Sequence, residues 1–344
     1  MKTISKILFL CAVLISLIAQ TAFGASIPRG VNGAYTYLCN QVKGIGIVDS
    51  YKDAYTSSYT YDNALAVMAF TAKDDYARAK KILTAYQNTI GLPLYGGYYD
   101  EYDYLTGIGK GSISAGPNAW LLNAVNLYSY NTGDKQFSPM AAALADYLVS
   151  LQDIDGGIFG GEYFSWKSTE HNLAGYAGLY NYGMLNNLPE YTQKANLIKD
   201  FVALNCWNGE RFLRGVNDAI EVTDTQSLGV LALGTTYASS IYWAEYHTKC
   251  TRPLGRTSVT GFDFNNDLDT VWLEGTLQQA MAFKKNYDDY RAGIYFGNVD
   301  KTQKTSGGFL CATNRGTTGT DWILLPVEST APTCWYILYS TNTN

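Results

Sequence analysis

Six times along the chain, a polar or acidic cluster is followed at once by an apolar run with helical periodicity. The segments are YDNALAVMAF from Tyr61, GPNAWLLNAVNLY from Gly116, STEHNLAGYAGLY from Ser168, TDTQSLGVLALG from Thr223, LDTVWLEGTLQQAMAF from Leu268 and ESTAPTCWYILYS from Glu328. Their polar parts are roughly 50 to 60 residues apart, which is long for a solenoid repeat but suits a helical hairpin plus one long loop. The pattern predicts a closed ring of hairpins with a polar opening at one end.

A second set of helices is predicted between these clusters. Periodicity indicates outer helices at residues 31–42, 75–87, 138–151, 191–204 and 239–249, with a weaker one after Phe283. Short turns follow the first three clustered helices, which indicates antiparallel neighbours. The connections into the clusters, such as residues 91–115, 153–167, 206–222 and 253–267, are long and fall at the end where the clustered helices start. Because functional residues concentrate on long loops held by a rigid scaffold, we expect the functional site at that end.

The composition is that of a folded globular protein. Of the 344 residues, 47% are hydrophobic and 16% are charged, so apolar burial can offset the loss of chain entropy. The even spacing of the clusters favours one domain over two. A formal net charge of -5 and a pI near 5.1 provide no basic surface for nucleic acid, and they disfavour anionic lipid surfaces as partners.

The first 24 residues have the pattern of a secretory signal peptide. Lys2 and Lys6 provide the charged start, residues 7–18 are apolar, and Ala22-Phe23-Gly24 is a small-residue cleavage site. A membrane anchor is the alternative, but the apolar stretch is shorter than the ~20 residues that a membrane span needs. We therefore expect a secreted or periplasmic protein with no membrane attachment after cleavage, whose mature chain is one domain over residues 25–344.

The mature chain would keep an odd number of cysteines in a compartment that permits disulfides. Cys39 and Cys334 lie on the first and last predicted helices, which are neighbours if the ring closes, so a disulfide between them is one possibility. Buried free thiols are the alternative, and they are favoured because the cysteine spacing matches no disulfide framework.

The alternation of six inner helices with five clear outer helices and a weaker sixth resembles the (α/α)6 six-hairpin glycosidase superfamily. Long loops with acidic and aromatic residues at the N-terminal ends of the inner helices add to the likeness, which is architectural and covers nearly the whole mature chain. The resemblance implies an all-α (α/α)6 barrel and carbohydrate chemistry, without fixing the bond that is cleaved. Enzymes of this fold often invert stereochemistry, so the resemblance favours inversion.

Glycoside hydrolysis needs one carboxylic acid that protonates the leaving oxygen and a second carboxylate that activates water or attacks the sugar. Acids in a first helical turn also satisfy free N–H groups and the helix dipole, which explains them without chemistry. Glu170 is distinguished because Ser168 or Thr169 can cap its helix, and Asp62 is similar because Thr60 can do so. We expect Glu170 as the general acid and Asp62, Glu274 or Asp224 as the base.

Aromatic and polar side chains near the predicted opening are candidate sugar ligands. Aromatic faces pack on the C–H faces of sugar rings, and polar groups bond sugar hydroxyls. The candidates are Tyr61, Tyr98, Asn118, Trp120, Trp166, His171, Asn172 and Trp272. For His171 a structural hydrogen-bonding role is the competing interpretation.

We expect no metal and no cofactor. Two histidines without Cys-x-x-Cys spacing make a zinc site improbable, and phosphate-binding and nucleophile-elbow glycine motifs are missing. Asp263, Asn265, Asp267 and Glu274 match four positions of a calcium loop, but Leu268 occupies the sixth position, where the sharp turn requires glycine. A polar loop whose Asp269 or Thr270 caps the next helix is therefore the favoured interpretation.

The sequence thus predicts a secreted glycoside hydrolase acting on a poly- or oligosaccharide. A polysaccharide lyase is the alternative enzyme, in which Tyr or His abstracts a proton while Arg and Asn neutralise a uronate; Arg211, Arg214 and the abundant Tyr keep it open. A non-catalytic carbohydrate-binding surface protein is the alternative from another class. The sequence leaves open the sugar, the linkage and the oligomeric state.

Overall fold

The computed structural model describes residues 29–52, 55–92 and 96–341, so the predicted signal peptide lies outside the described residues. The described chain forms twelve α-helices. They are α1 (Val31–Gln41), α2 (Thr60–Ala72), α3 (Tyr76–Thr84), α4 (Ala115–Thr132), α5 (Ser138–Ser150), α6 (Thr169–Asn186), α7 (Pro189–Phe201), α8 (Asp224–Leu233), α9 (Ser239–His247), α10 (Leu273–Lys285), α11 (Asp289–Asp300) and α12 (Thr330–Thr341). Short π-helices at Ala85–Gly91 and Val202–Cys206 extend α3 and α7, and a 3₁₀ turn at Thr235–Tyr237 joins α8 to α9.

The even-numbered helices form a closed inner ring. Each of α2, α4, α6, α8, α10 and α12 packs against the next, and α12 packs back against α2. Each outer helix packs against the inner helix of its own hairpin, and α1 packs against α12 so that the first and last helices make the sixth hairpin. The chain has an (α/α)6 barrel fold. No helix in the described ranges combines the length and apolarity needed to cross a bilayer.

The predicted helices are confirmed with shifts at their ends. The weak sixth outer helix is α11, and the short turns after α2, α4 and α6 join antiparallel neighbours. The expectation that Asp269 or Thr270 caps the fifth inner helix is wrong, because Trp272 is the N-cap of α10, which begins at Leu273. The three residues before it are held in extended loop contacts, including a hydrogen bond from the backbone N–H of Thr270 to Asp263.

Short strands, which the helical pattern did not predict, stiffen the long loops. They are β1 (Val42–Lys43), β2 (Ile47–Val48), β3 (Ser57–Tyr59), β4 (Glu101–Asp103), β5 (Gly109–Lys110), β6 (Lys249–Leu254), β7 (Thr257–Phe262), β8 (Phe309–Leu310), β9 (Gly316–Thr317), β10 (Ile323–Leu324) and β11 (Glu328–Ser329). The longest pair, β6 and β7, is an antiparallel hairpin where the sequence predicts irregular chain. Gly255 makes its tight turn with a φ of 60°, and β-branched residues favour the strands.

A polar side chain in the first turn of each inner helix binds the loop that leads into that helix. Asn172 is representative: its Oδ1 accepts from the backbone N–H of Ile158 at 2.8 Å, and its Nδ2 donates to the carbonyls of Ile158 at 3.1 Å and Ser168 at 2.8 Å. The other inner helices place a side chain in the same pair of contacts, to a loop N–H and to the carbonyl four residues earlier. These residues are Asn63, Asn118, Gln226, Thr276 and Thr333. We call these six side chains the loop clamps.

A second set of contacts joins each loop to the preceding inner helix. On α6, the backbone N–H of Thr169 donates to the carbonyl of Arg214 at 2.8 Å, and its hydroxyl donates to that of Leu213 at 2.6 Å. On α12, Thr330 makes the equivalent contacts to the carbonyls of Ser50 and Asp49, at 3.0 and 2.7 Å. Each loop is therefore hydrogen-bonded to two inner helices, and the series closes where α12 holds the loop before α2.

The clamps overturn three predicted sugar contacts. Asn118 and Asn172 are fully buried and use their carboxamides on loop backbone, so neither faces the barrel opening. Tyr98, whose backbone is held by Asn118, is 1% exposed, and its ring packs against Tyr86 in the core. Sequence alone does not separate these residues from ligands, because a polar residue at a helix start suits either purpose.

The five cysteines of the described chain are free thiols. Cys206, Cys250, Cys311 and Cys334 are buried, and Cys39 is half-buried. The disulfide considered between Cys39 and Cys334 is not formed, although their helices α1 and α12 do pack together. The cysteines thus serve as small apolar side chains of the core.

Replacing a loop clamp with alanine should destabilise the fold. We expect Asn172→Ala to lower the free energy of unfolding by on the order of 3 kcal/mol, because it leaves a buried N–H and buried carbonyls unpaired. Chemical denaturation followed by circular dichroism measures this. Asn181→Ala, an exposed asparagine on the same helix, is the matched control and should change the free energy by less than about 0.5 kcal/mol. Equal stability of the two variants would contradict the clamp assignment.

Candidate active site

The inner ring encloses a cavity of about 310 Å³ at the N-terminal ends of the inner helices. Four carboxyl groups line it, Asp62, Glu170, Asp224 and Glu274, each from a different inner helix. The structure therefore brings together all four residues that the sequence singles out as catalytic candidates. Tyr61, Trp120, His171 and Trp272 from the predicted binding set also line this cavity.

The loop clamps explain why these acids converge. Glu170, Asp224 and Glu274 each lie two residues before the clamp of their helix, on the consecutive inner helices α6, α8 and α10. With each helix anchored in the same way, residues at one position of the first turn point in one direction, toward the ring centre. Asp62 and His171 share the next position, one residue before their clamps. The position of a residue one or two places before the clamp of its helix therefore indicates that it faces the cavity.

Glu170 has contacts that favour its ionised form. Its Oε1 accepts from the indole N–H of Trp120 at 2.7 Å, and its Oε2 lies 3.4 Å from Nε2 of His171. Its side chain is 22% exposed, so part of the carboxylate is open to the cavity. Burial raises the pKa of Glu170, and the hydrogen bond from Trp120 opposes that rise.

His171 is held beside Glu170 as a neutral imidazole. Burial lowers its pKa to about 4, against the opposing charge of Asp100. Its ring packs over Gly116, where an added Cβ would lie 2.4 Å from Cδ2 of the histidine, and against Trp166, at 5.3 Å between ring centroids. Gly116 holds on α4 the position that Glu170 holds on α6, so its lack of a side chain makes room for the imidazole. Trp166 contacts the cavity lining through His171 and does not line the cavity itself.

Asp224 lies on the next inner helix after Glu170. One of its carboxylate oxygens accepts from the backbone N–H of Thr225 at 2.6 Å. Burial raises the pKa of Asp224 to about 7, and the negative charge of Glu170 adds to the rise. The two carboxyls therefore influence each other's protonation, and the proton is favoured on Asp224.

Glu274 ends a chain of hydrogen bonds between aromatic side chains. The indole N–H of Trp335 donates to the hydroxyl of Tyr61 at 3.1 Å, and Tyr61 donates to Oε1 of Glu274 at 2.5 Å. Gln278 donates to the same oxygen at 3.2 Å. Burial raises the pKa of Glu274 to about 8 despite the bond from Tyr61.

Asp62, on α2, is also buried. Burial raises its pKa to about 7, and a hydrogen bond with Ser50 opposes the rise. Within the described chain, Asp62, Glu170 and Glu274 accept no hydrogen bond from the first-turn backbone of their own helices, unlike Asp75 and Asp288 on outer helices, whereas Asp224 accepts one from Thr225. Helix capping therefore does not explain Asp62, Glu170 and Glu274, and Asp224 combines a bond to its own first turn with a place in the cavity lining.

Three aromatic rings form one wall of the cavity. Phe264 lies 5.2 Å from Trp272 and 5.5 Å from Trp322, between ring centroids, in tilted and edge-on contacts. Trp322 is 43% exposed and sits in the loop before β10, where its face is available to a ligand. Sequence reasoning missed Phe264, Trp322 and Tyr51 as lining residues, since they lie in loops far from the helix starts.

A second cavity of about 730 Å³ occupies the other half of the barrel. Trp120 and Leu228 line both cavities and lie between them. The second cavity is lined by alanine, leucine, methionine, tryptophan, asparagine, tyrosine and threonine side chains of the described chain, with no carboxyl group among them. Of these two cavities, only the one at the N-terminal ends is lined by carboxyl groups of the described chain.

The arginines that the lyase alternative needs are engaged elsewhere. Arg211 donates to Glu221 at 3.0 Å and stacks on Trp243, and Arg214 pairs with Asp218 at 2.6 Å. Among the described residues that line the acidic cavity there is no lysine or arginine. None of these lining residues could therefore form an ion pair with a uronate.

Comparisons with known proteins agree on the fold. No protein-family model matches the sequence, and a search of curated protein sequences finds no relative. A solved wild-type glycosidase superposes with a TM-score of 0.71 at 11% identity, covering 90% of this chain and 95% of the other. A novel alpha-amylase from Clostridium perfringens superposes with 0.67 at 9% identity, covering 92% and 98%. A family 76 glycoside hydrolase, a mannosidase from Bacteroides thetaiotaomicron, superposes with 0.61 at 11% identity, covering 90% and 96%.

The raised acid pKa values predict how stability depends on pH. The pKa of Glu274 in the folded protein, about 8, exceeds its ordinary value of 4.5, so the stability that Glu274 contributes is complete below about pH 4.5 and is lost as the pH rises through 8. Glu274→Gln cannot ionise. We expect the stability of the wild type relative to this variant to fall by about 1 kcal/mol or more between about pH 5 and pH 8.

Denaturant unfolding at the two pH values measures the difference. Glu162→Gln, at an exposed glutamate on the loop before α6, should follow the wild type at both. A difference between wild type and Glu274→Gln that does not change with pH would show that Glu274 ionises normally in the folded protein.

Proposed function

We propose that this protein is a secreted or periplasmic glycoside hydrolase that cleaves a poly- or oligosaccharide. The observation that carries the proposal is the set of four carboxyl groups with raised pKa values facing one cavity beside an aromatic wall. Hydrolysis of a glycosidic bond needs a carboxyl that is protonated near neutral pH and another that is ionised. Aromatic faces supply the packing surface for sugar rings.

Asp224 and Glu170 are the best-supported catalytic pair. The sequence favours Glu170 as the general acid, but the surroundings of the two groups support the reverse division. Trp120 stabilises the ionised form of Glu170 at 2.7 Å, whereas burial and the charge of Glu170 keep the proton on Asp224. Unequal environments of this kind separate an acid from a base within one site.

In the proposed reaction, Asp224 gives its proton to the glycosidic oxygen as the bond from that oxygen to the anomeric carbon breaks. Glu170 takes a proton from a water molecule, whose oxygen bonds the anomeric carbon from the opposite face. The products are two sugars with free hydroxyls, one of them with inverted anomeric configuration. His171 is proposed to be a positioning residue. Its Nε2 lies 3.4 Å from Oε2 of Glu170, and its ring is neutral near pH 7, so it orients the carboxylate without adding a positive charge.

Asp62 and Glu274 are proposed to bind sugar hydroxyls. A carboxyl that stays protonated near neutral pH can both donate and accept, which matches the two-way bonding of a hydroxyl. The indole N–H of Trp272 and Oε1 of Gln278 are buried cavity-lining atoms that have no partner among the described residues. They are further candidates for hydrogen bonds to the same substrate.

The solved structures with this fold guide the choice of sugars to test. One neighbour is a glycosidase variant in complex with glucose, another is an alpha-amylase and a third is a mannosidase. We therefore propose neutral hexose polymers as the first substrates to test, with uronate polymers as the contrast. The acidic lining without a cation supports the neutral sugars.

A glycan panel tests the activity. Incubation of the wild type with neutral glucans, mannans and their oligosaccharides should release new reducing ends from at least one of them, without a product that absorbs in the ultraviolet. Glu170→Gln should lower kcat by about 10²-fold or more, since it removes a group that acts in the transition state. Glu162→Gln is the control and should keep full activity.

The outcomes separate the alternatives. An ultraviolet-absorbing product would establish a lyase. Binding of a glycan with no product from the wild type would favour a carbohydrate-binding protein. Full activity of Glu170→Gln would overturn the assignment of Glu170 while leaving the hydrolase proposal to the other three acids.

Two substrates that differ in their leaving groups test the role of Asp224. Asp224→Asn should lose on the order of 10²-fold or more in kcat on the natural glycan but much less on a nitrophenyl glycoside of the same sugar, which needs little proton donation. In the wild type, kcat/KM should fall as the pH rises above about 7, because the folded pKa of Asp224 is near 7 and the acid must be protonated. Equal losses on both substrates would assign the acid elsewhere.

A further inference from the structure

Three aspartates meet outside the catalytic cavity, in the loop between β7 and α10. One carboxylate oxygen from each of Asp263, Asp267 and Asp269 lies within 4.8 Å of the others. Asp263 is fully buried, Asp269 is half-buried and Asp267 is exposed, so the group runs from the protein interior to its surface. Across the described ranges, no lysine or arginine forms an ion pair with any of the three carboxylates; the nearest named arginine contact is Arg252, which donates to the backbone carbonyl of Asp269.

Hydrogen bonds hold the three carboxylates in place without neutralising them. Asp263 accepts from the backbone N–H groups of Phe264 at 2.7 Å and Thr270 at 3.1 Å. Asp269 accepts from the backbone N–H of Thr317 at 3.0 Å, and Asp267 accepts from the Thr317 hydroxyl at 2.5 Å. Three carboxylates held this close repel one another when they are ionised, and a bound cation removes that repulsion.

Asn265 is an independent sign of a missing partner. It is 5% exposed, and its Oδ1 is a buried oxygen with no hydrogen-bond partner among the described residues. The Nδ2 on the same carboxamide lies 3.0 Å from Oδ2 of Asp267, so the head of Asn265 is at the cluster. The oxygen and nitrogen of a carboxamide exchange places in a half-turn without steric cost. With Oδ1 turned toward Asp267, the carboxamide would offer a neutral oxygen ligand to a cation held by the three carboxylates.

The backbone also makes the turn that the sequence argued against. Leu268 has a φ of 59°, the left-handed conformation that a calcium loop normally obtains from glycine at its sixth position. The objection from the missing glycine therefore fails. Glu274 is not a ligand of this group, because its carboxyl faces the catalytic cavity instead. Asp269, at the seventh position, replaces it.

We propose that Asp263, Asp267 and Asp269, together with Oδ1 of Asn265, bind one Ca²⁺ ion. All four ligands are oxygens, and three are carboxylates, which is the donor set of a hard cation and not of zinc. Ca²⁺ accepts irregular geometry and completes its six to eight ligands with water, which suits the open side of the cluster at Asp267. Mg²⁺ demands a near-octahedral site and gives up water reluctantly, so it should bind less well.

The ion would join two loops that carry the aromatic wall of the catalytic cavity. Phe264 follows Asp263 directly, and Thr317, held by Asp267 and Asp269, begins the loop that leads to Trp322. Phe264 and Trp322 are in edge-on contact at 5.5 Å between ring centroids. Calcium binding would thus stabilise the loop pairing that positions this wall, whatever the reaction in the cavity.

Calorimetric titration of the metal-free full chain with CaCl₂ tests the site. We expect one ion per chain with a Kd at or below the range of about 10⁻⁴–10⁻³ M that is typical of extracellular calcium modules. Saturating CaCl₂ should raise the melting temperature by about 2 °C or more, and MgCl₂ should raise it less. Asp267→Asn/Asp269→Asn should weaken binding at least tenfold. Asp321→Asn, at an exposed aspartate of the same loop as Trp322, should bind as the wild type does.

Each outcome bears on the proposal without reference to enzyme activity. No heat and no change in melting temperature up to about 10⁻² M CaCl₂ would overturn it, as would equal binding by the wild type and the double variant. If circular dichroism shows that the double variant is unfolded, Asp269→Asn alone takes its place, with the same expected loss. Terbium luminescence excited through tryptophan should rise on binding and fall when Ca²⁺ is added, because Trp322 lies in the loop that the ion holds.

Discussion

The hydrogen bonds of the loop clamps are the constraint on which the rest of the structure depends. A long loop that enters a helix leaves its backbone N–H and C=O groups without regular partners, and burying them unpaired costs free energy. Each inner helix meets this demand with one first-turn side chain, as Asn172 does for Ile158. Because each loop is also held by the preceding helix, as by Thr169, the contacts pass around the ring and return to α2. The ring and its loops are thereby fixed in one register.

This fixed arrangement of the helices determines which side chains line the cavity. With the clamps in equivalent places, residues one or two positions earlier face the centre, where water is scarce and ionisation is costly. Glu170, Asp224 and Glu274 occupy the same position on three consecutive helices, yet their surroundings differ. The indole N–H of Trp120 donates to Glu170, the negative charge of Glu170 raises the pKa of Asp224, and the hydroxyl of Tyr61 donates to Glu274. Equivalent placement and unequal partners are the conditions under which similar carboxyls take different roles.

Sequence patterns predicted the barrel well and the site in part. Helical periodicity with long loops anticipated all twelve helices. The capping argument holds for Glu170, because Ser168 caps its helix, but it is wrong for Asp62, because the Thr60 hydroxyl donates to the carbonyl of Tyr99; both acids line the cavity. The same argument could not separate Asn118 and Asn172 from sugar ligands, because an amide at a helix start bonds loop backbone and sugar hydroxyls equally well. The sequence did not predict Phe264 and Trp322 as lining residues, because loop residues have no periodicity from which the direction of a side chain can be inferred.

By itself, the sequence determined the architecture: evenly spaced apolar runs joined by long loops predict helical hairpins that bury their apolar faces in a ring, and this follows from local periodicity and length. Only the tertiary structure decided which polar residue of each cluster binds a loop and which faces the cavity. It also decided that Leu268 adopts the left-handed turn that its residue type disfavours. Those choices depend on contacts between residues about 14 to more than 40 positions apart, such as Asn172 with Ile158 and Thr169 with Leu213. The side chain that makes such a contact and the buried backbone group that it contacts come from different parts of the chain, so no local pattern shows the pairing.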